Sequence, residues 1–123
     1  MSVIHKFTGN PKSFQWESVL QEIPSMEGLK LITKQILVGG KDGAPNFSMR
    51  YFRVEGGGHT KLEQHAHEHG LIILNGRGRV QIGEKVHELE PFDSLYISGN
   101  ELHQFSNPYK ESFGFICIIP LVE

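Results

Sequence analysis

The chain has 123 residues, of which 38% are hydrophobic and 21% are charged. This length is typical of one domain, and the composition excludes a disordered chain, which combines low hydrophobicity with high net charge. The net charge is −2 and no block of Lys and Arg is present, so nucleic acid is not expected as a partner. The apolar runs are also shorter than the roughly 18–20 residues of a membrane span, so no membrane partner is expected.

The first 27 residues are predicted to form an arm that packs on the main body. Pro11 and Pro24 bracket most of this segment, and Phe14 and Trp16 can anchor it on a neighbouring surface. The sequence changes character at about residue 28. Residues 28–123 are therefore predicted to form a single barrel domain.

Short apolar runs in residues 28–123 alternate with turns rich in Gly, Pro, Asn and Asp, which is typical of strands. The triple glycine at 56–58 is predicted to end one of these strands. So many short strands at regular spacing indicate an all-β sandwich or barrel. The predicted strands are 29–38, 47–54, 59–65, 71–74, 78–82, 85–89, 94–97, 103–106 and 113–120.

Alternation within the predicted strand 47–54 separates its two faces. Met49 and Tyr51 share one face, where they either line the barrel mouth or pack in the core. Arg50 lies on the other face, so we predict an exposed or interface position for it. Cys117 lies in a hydrophobic run and is interpreted as a small buried residue.

The segment 63–69 contains five potential metal ligands in seven residues. Side chains at i and i+2 of a strand share a face, so Glu63 and His65 point the same way. His69 begins the next strand and can join them. A further ligand has to come from a distant part of the chain, and His103, at the start of a later strand, is the best candidate. Imidazole and carboxylate donors suit one divalent ion of Fe, Mn, Ni, Cu or Zn.

The spacing around this segment resembles the first motif of the cupin superfamily. That motif is a glycine, five residues, His-x-His, three or four residues, Glu, six residues and a glycine. Here Gly57 precedes Glu63 and His65 by the same interval, and His69 and Gly76 follow at the expected distances. The spacing is retained, while Glu63 takes the place of the first histidine and His69 takes that of the glutamate.

The second cupin motif ends in a histidine and, after three intervening residues, an asparagine, which matches His103 and Asn107. Upstream, Phe92, Ser98 and Asn100 replace a glycine, a proline and a glycine of the motif. The resemblance covers roughly residues 45–120. It implies a small single-domain cupin: a double-stranded β-helix, or jelly-roll β-barrel, with the metal ion inside.

A second register of the first motif remains open, because 65–67 is the only literal His-x-His. In that register the glutamate position falls on Leu71 or Ile72, neither of which can ligate a metal, and the spacing to Gly76 is too short. The first register is therefore favoured. In it, His67 lies beside the metal site or faces solvent.

For function, the resemblance favours a metal-dependent, dioxygenase-like oxidoreductase that acts on a small organic substrate. One alternative is an isomerase or lyase in which the ion is a Lewis acid, and another is a non-catalytic module that binds a small molecule. The motifs do not identify a substrate, because this fold hosts many chemistries.

The resemblance and the composition also lead to two expectations about the setting of the protein. Cupin-like proteins often pair, and the N-terminal arm could cover a sheet edge of a second copy, so we expect a homodimer. A single cysteine and the lack of a long apolar stretch in residues 1–7 predict a cytoplasmic protein.

Overall fold

A computed structural model describes residues 1–121 of the chain. Its regular elements are nine strands and one short 3-10 turn, Gly40–Asp42, so the predicted all-β class is confirmed. None of the described segments is a helix able to cross a membrane. Residues 122 and 123, the end of the predicted barrel domain, lie outside the described residues. In chain order the strands are β1 (Gln21–Glu22), β2 (Lys30–Val38), β3 (Phe47–His59), β4 (His69–Asn75), β5 (Gly78–Ile82), β6 (Lys85–Leu89), β7 (Ser94–Ile97), β8 (His103–Ser106) and β9 (Phe113–Pro120).

All nine strands belong to one antiparallel sheet that curls on itself. The order along the sheet is β6-β5-β8-β3-β9-β4-β7, and β2 pairs with β3 and carries β1 at its far side. Strand β3 is the hub, because it pairs with β2, with β9 and, at His59, with β8. Strands distant in sequence are thus neighbours in a curled sheet, as in a jelly roll, which confirms the predicted barrel fold.

The triple glycine does not end a strand, and this prediction is wrong. Strand β3 continues through it to His59, and residues 60–68 that follow form a loop rather than the predicted strand 59–65. A Cβ atom placed on Gly58 would lie 2.6 Å from the carbonyl oxygen of Lys30, and one on Gly56 would collide with the carbonyl oxygen of Tyr109. These glycines let two backbones approach closely, which is a known role of glycine inside strands.

Arg50 is predicted at an exposed or interface position, but it lies on the inner face of β3. Arg50 and Phe52 line a cavity inside the barrel, and Arg50 faces Cys117 across the β3–β9 pair. Tyr51 lies on the outer face, yet only 1% of its surface is exposed, because the N-terminal arm covers it. Both faces of this strand are therefore covered, and alternation alone could not identify the inner one.

The arm covers the outer face of β2 and β3 through aromatic contacts. The ring of Phe14 stacks on Tyr51 with centroids 5.4 Å apart, and Trp16 packs on the same ring at 5.3 Å. The amide of Gln35 donates a hydrogen bond to the Phe14 carbonyl at 2.8 Å. Burial raises the pKa of Tyr51 to about 12. These contacts support our proposal that residues 1–27 form an arm packed on the barrel.

The asparagine of the second motif, Asn107, closes the turn before β9. It is 1% exposed, and its side-chain amide donates to the carbonyls of Val54 (2.9 Å) and Glu111 (2.7 Å). Its own side-chain oxygen accepts the Tyr109 amide at 2.9 Å. Asparagine offers donors and an acceptor together in one short side chain. This residue therefore joins the end of β8 to β3 and to the following loop.

The arm is also attached near its start by His5. The Nε2 atom of His5 lies 2.8 Å from a carboxylate oxygen of Asp42, and its Nδ1 atom lies 2.9 Å from the Glu17 carbonyl. Both partners are acceptors, and only the protonated ring can donate to both. The hydrogen bond to Asp42, with that to Glu17, raises the pKa of His5, and the His5 contact lowers the pKa of Asp42.

These shifts predict a pH window for docking of the arm. The contribution of His5 is complete below its unfolded pKa of 6.5 and is lost as the pH rises through the raised value. That of Asp42 is complete above 3.8 and is lost as the pH falls. Acrylamide quenching of Trp16, the single tryptophan, should therefore be weakest between about pH 4 and 6.5. His5→Asn should remove the alkaline rise in quenching, whereas the exposed control His87→Asn should retain it. An unchanged profile in His5→Asn would contradict this account.

Candidate metal centre

Three histidines reach one point because two strands begin there and a loop is held beside them. His69 is the first residue of β4 and His103 is the first residue of β8. The loop is fixed by a backbone bridge, in which the Glu63 amide donates to the His103 carbonyl (3.0 Å) and the His103 amide donates to the Glu63 carbonyl (2.9 Å). The Asn100 amide donates to the His65 carbonyl and holds the third histidine in place.

The three side chains form a close set. The ligand atoms of His65, His69 and His103 all lie within 4.8 Å of one another. His69 is 8% exposed and His103 is 4% exposed, so two of the three rings are removed from solvent. The distances and the burial are those expected of residues that can hold a metal ion together.

The hydrogen bonds of the rings leave the inner nitrogen atoms free. The Nδ1 atom of His103 donates to the Glu101 carbonyl at 2.8 Å, and that of His65 donates to the His67 carbonyl at 3.0 Å. The Nε2 atoms of His69 and His103 are buried and have no hydrogen-bond partner. Metal-ligating histidines usually donate the other ring N–H to a carbonyl or carboxylate in this way. The donor set therefore fits a divalent ion.

The electrostatics of the site favour a neutral imidazole at His69. Burial, with smaller contributions from His103 and His65, lowers the pKa of His69 to about 3. Burial, followed by the charge of His65, also lowers the pKa of the neighbouring His67. A metal binds only the unprotonated ring nitrogen, so protons compete weakly with an ion at His69.

The structure places the other two predicted residues at the edge of this set. Glu63 lines the same cavity as the histidines, but its carboxylate is not among the ligand atoms that lie within 4.8 Å of one another. His67 also lines the cavity, and its ring stacks on His65 with centroids 3.8 Å apart and an interplanar angle of 8°. It lies in the bend between the ligand positions and beside the site rather than in it.

The three histidines open onto a cavity of about 290 Å³, the size of a small ligand pocket. The sequence does not reveal that Lys34 and Arg50 belong to its wall, because both lie in strands whose two faces are covered. Thr60 also lines the wall, but its hydroxyl is occupied by the Phe105 backbone, whose amide donates to it at 2.8 Å. The rest of the wall is mainly apolar and consists of Pro24, Met26, Leu29, Ile32, Phe52, Phe105, Phe115, Cys117 and Ile119.

Comparison with known proteins agrees with this architecture. The model of the cupin domain family matches residues 50–119, more than half of the chain. The chain belongs to the cupin family. The matched segment contains all four predicted ligands, and it includes β4 and β8, the strands that begin with His69 and His103.

Individual proteins are similar to this chain over most of its length. A 1-methylthio-D-xylulose 5-phosphate methylsulfurylase from Rhodospirillum rubrum is 42% identical over 88 residues, which cover 72% of this chain and 55% of the relative. The chain thus matches about half the length of that curated relative. The crystal structure of a cupin-2 domain from the same organism is 34% identical with a TM-score of 0.83, covering 95% of this chain and 79% of that one. The polyketide cyclase RemF from Streptomyces resistomycificus is 27% identical with a TM-score of 0.79, covering 84% and 74% respectively.

The geometry predicts which residues are needed for metal binding. His65→Ala and His103→Ala should each weaken metal binding by at least about 10–100-fold. This is the loss of affinity that follows when only a residue supporting a ligand is removed. The barrel should remain folded, because loss of the metal removes only the stabilisation that metal binding adds to the folded state. Metal content is measured by elemental analysis of protein purified without a nickel tag or chelators. Full metal content in both variants would exclude this ligand set.

Two further variants in the same measurement separate the two registers of the first motif. Glu63→Ala should reduce metal content if the carboxylate completes the site, whereas His67→Ala should leave it nearly unchanged. The competing register requires the reverse result. The exposed His87→Ala variant controls for the removal of a histidine elsewhere on the barrel.

Proposed function

We propose that this cupin is a metal-dependent enzyme that converts a small organic substrate inside the barrel. The observation that carries this proposal is the pair of buried Nε2 atoms, on His69 and His103, that have no partner beside an open cavity. An unsatisfied buried polar atom costs about 1–3 kcal/mol. Two such atoms side by side are explained if an ion binds to both.

The proposed ligands are His65, His69 and His103, with Glu63 as the fourth. Glu63 starts from a suitable position, because its backbone is paired to that of His103 and its side chain already borders the cavity. Three neutral imidazoles and one carboxylate suit Fe, Mn, Ni, Cu or Zn and leave coordination positions for a substrate. When bound, such an ion supplies Lewis-acid polarisation of a substrate oxygen, and a redox-active ion can also support oxygen chemistry.

The other cavity residues position the substrate and keep water away from it. Phe52, Phe105 and Phe115 contribute an aromatic wall, in which neighbouring ring centroids are 4.6–5.6 Å apart. Met26 and Leu29, close to the junction of the arm and the barrel, line the same cavity. Excluding water strengthens the electrostatic interactions inside a site. The hydrophobic part of the substrate is therefore expected to lie against this wall.

Two reaction classes fit the proposed donor set. The 42% identical relative is named as a methylsulfurylase of a ketose phosphate, which supports Lewis-acid chemistry at a carbonyl compound, as in an isomerase or lyase. A dioxygenase-like oxidation is the second candidate, and it is supported by the donors themselves, because three histidines and a carboxylate suit redox-active ions.

A deuterium-exchange assay tests the proposal. We expect protein loaded with Mn or Zn to exchange the protons next to the carbonyl of D-xylulose 5-phosphate in D₂O, as followed by NMR. EDTA-treated protein and metal-free His65→Ala should not do so. Oxygen uptake coupled to substrate loss, measured with an oxygen electrode on Fe-loaded protein, would instead favour the dioxygenase-like oxidation over the Lewis-acid reaction. Absence of exchange and of oxygen uptake with every ion would overturn the enzymatic proposal in favour of a binding module.

We also propose that the protein is a homodimer. Ile72, Tyr96 and Ile118 are 38–64% exposed and lie on the neighbouring strands β4, β7 and β9. Tyr96 and Ile118 both flank Gly70 in the register of the sheet, so the three side chains form one apolar patch. Such patches mark interaction surfaces. Sedimentation should show a dimer at micromolar concentration that Ile118→Lys converts to a monomer, and a monomeric native protein would exclude the proposal.

A further inference from the structure

We infer that Arg50 and Lys34 form an anion-binding subsite in the cavity wall and that the substrate carries a phosphate monoester. The statement about the substrate rests on the proposed function, whereas anion binding itself depends only on these two residues. Neither residue belongs to the predicted metal ligands, and neither forms an ion pair within residues 1–121.

The sheet brings the two cations together on its inner face. Lys34 on β2 is opposite Phe52 on β3, and Arg50 is opposite Ile36. Arg50 and Lys34 are therefore diagonal neighbours, a relation in which residues are about 7–8 Å apart. The guanidinium carbon of Arg50 lies 4.9 Å from the centroid of the Phe52 ring. The charge of Arg50 is thus directed over the residue that faces Lys34.

Arg50 is partly buried and has no oxygen acceptor for its guanidinium within residues 1–121. Its Nε atom is buried without a hydrogen-bond partner, and its Nη2 atom donates to the Cys117 sulfur at 3.2 Å, a weak acceptor. In contrast, Arg53 on the outer face of the same strand donates to the Glu55 carboxylate and to the Lys12 carbonyl, both at 2.8 Å. Removing a charge from water without an ionic partner is costly, so the contrast favours binding of an anion at Arg50.

No protein carboxylate in residues 1–121 neutralises the two cations. The ion pairs in that range are His5–Asp42, Arg53–Glu55 and Arg79–Glu88, and none of them includes Arg50 or Lys34. Among residues 1–121, Glu63 is the only acidic residue in the cavity wall, and the proposed function uses it as a metal ligand. The anion that pairs with these cations is therefore expected to come from the substrate.

The charge and the space available favour a phosphate monoester over a carboxylate. A phosphate monoester carries about −1.5 to −2 charges at pH 7, which matches two cations, whereas a carboxylate matches one. The planar fork of an arginine binds phosphate through two parallel hydrogen bonds. Contacts of 3.2 Å and 3.6 Å connect Arg50 through Cys117 to His69. The phosphate and the reacting group can therefore belong to one molecule small enough for a cavity of about 290 Å³.

Isothermal titration calorimetry with dihydroxyacetone phosphate, dihydroxyacetone, pyruvate and inorganic phosphate tests the inference. EDTA-treated protein should bind the two phosphates and bind dihydroxyacetone much more weakly. Arg50→Met should weaken phosphate binding about 10- to 100-fold, and Lys34→Met should weaken it in the same direction. Arg50→Lys should recover part of the affinity. Arg53→Met, on the outer face of the same strand, is the matched control and should bind phosphate as the native protein does.

The possible failures can be distinguished. Equal phosphate affinity in native protein and Arg50→Met, with both variants folded by circular dichroism, would overturn the subsite. Tighter binding of pyruvate than of either phosphate would overturn the phosphate assignment. Phosphate binding in a protein that binds no metal would support the subsite and count against the proposed function, whereas metal binding without phosphate binding would do the opposite.

Discussion

The cluster of three histidines depends on one pair of backbone hydrogen bonds, those between Glu63 and His103. The loop 60–68 has no regular strand of its own, and this bridge is what aligns it with the start of β8. His65 follows the bridge by two residues and is held by the Asn100 amide on the other side. Two hydrogen bonds of the main chain thus set the positions of side chains that no local propensity would bring together. The bridge also explains why a loop can supply a ligand with the accuracy of a strand.

Close approach of backbones is the second constraint, and glycine makes it possible. Strand β3 pairs with β2 and β9 over most of its length and with β8 at its last residue. One strand therefore connects the part of the sheet that the arm covers with β8, the strand that begins with His103. Gly56 and Gly58 lie where this change of partner occurs, and a side chain at either position would meet a backbone carbonyl. The glycines therefore allow β3 to change partner from β9 to β8 before the loop 60–68 begins.

The sequence predicts most of the strands and the three clustered histidines, and the reasons are local. Turn residues delimit the short strands, and motif spacing predicts that His65, His69 and His103 come together without three-dimensional information. The inward direction of Arg50 could not be predicted in this way, because the arm buries Tyr51 on the opposite face as completely as a core would. The same holds for the triple glycine, whose role depends on Lys30 and Tyr109, residues distant in sequence. Contacts between segments far apart in the chain are not encoded in the periodicity of the sequence, so these features could not be predicted from it.

The arm reaches both sides of the sheet, and this has an evolutionary consequence. Phe14 and Trp16 cover the outside of β2 and β3, while Pro24 and Met26, farther along the same segment, enter the cavity wall on the inside. The clustered histidines and strands β4 to β8 lie within residues 50–119, which match the family model, whereas the arm and β2 precede them. Substitutions in the dozen residues before β2 can therefore reshape the pocket while the three clustered histidines are left unchanged. Part of the pocket wall and the histidine cluster are thus encoded by different stretches of one polypeptide.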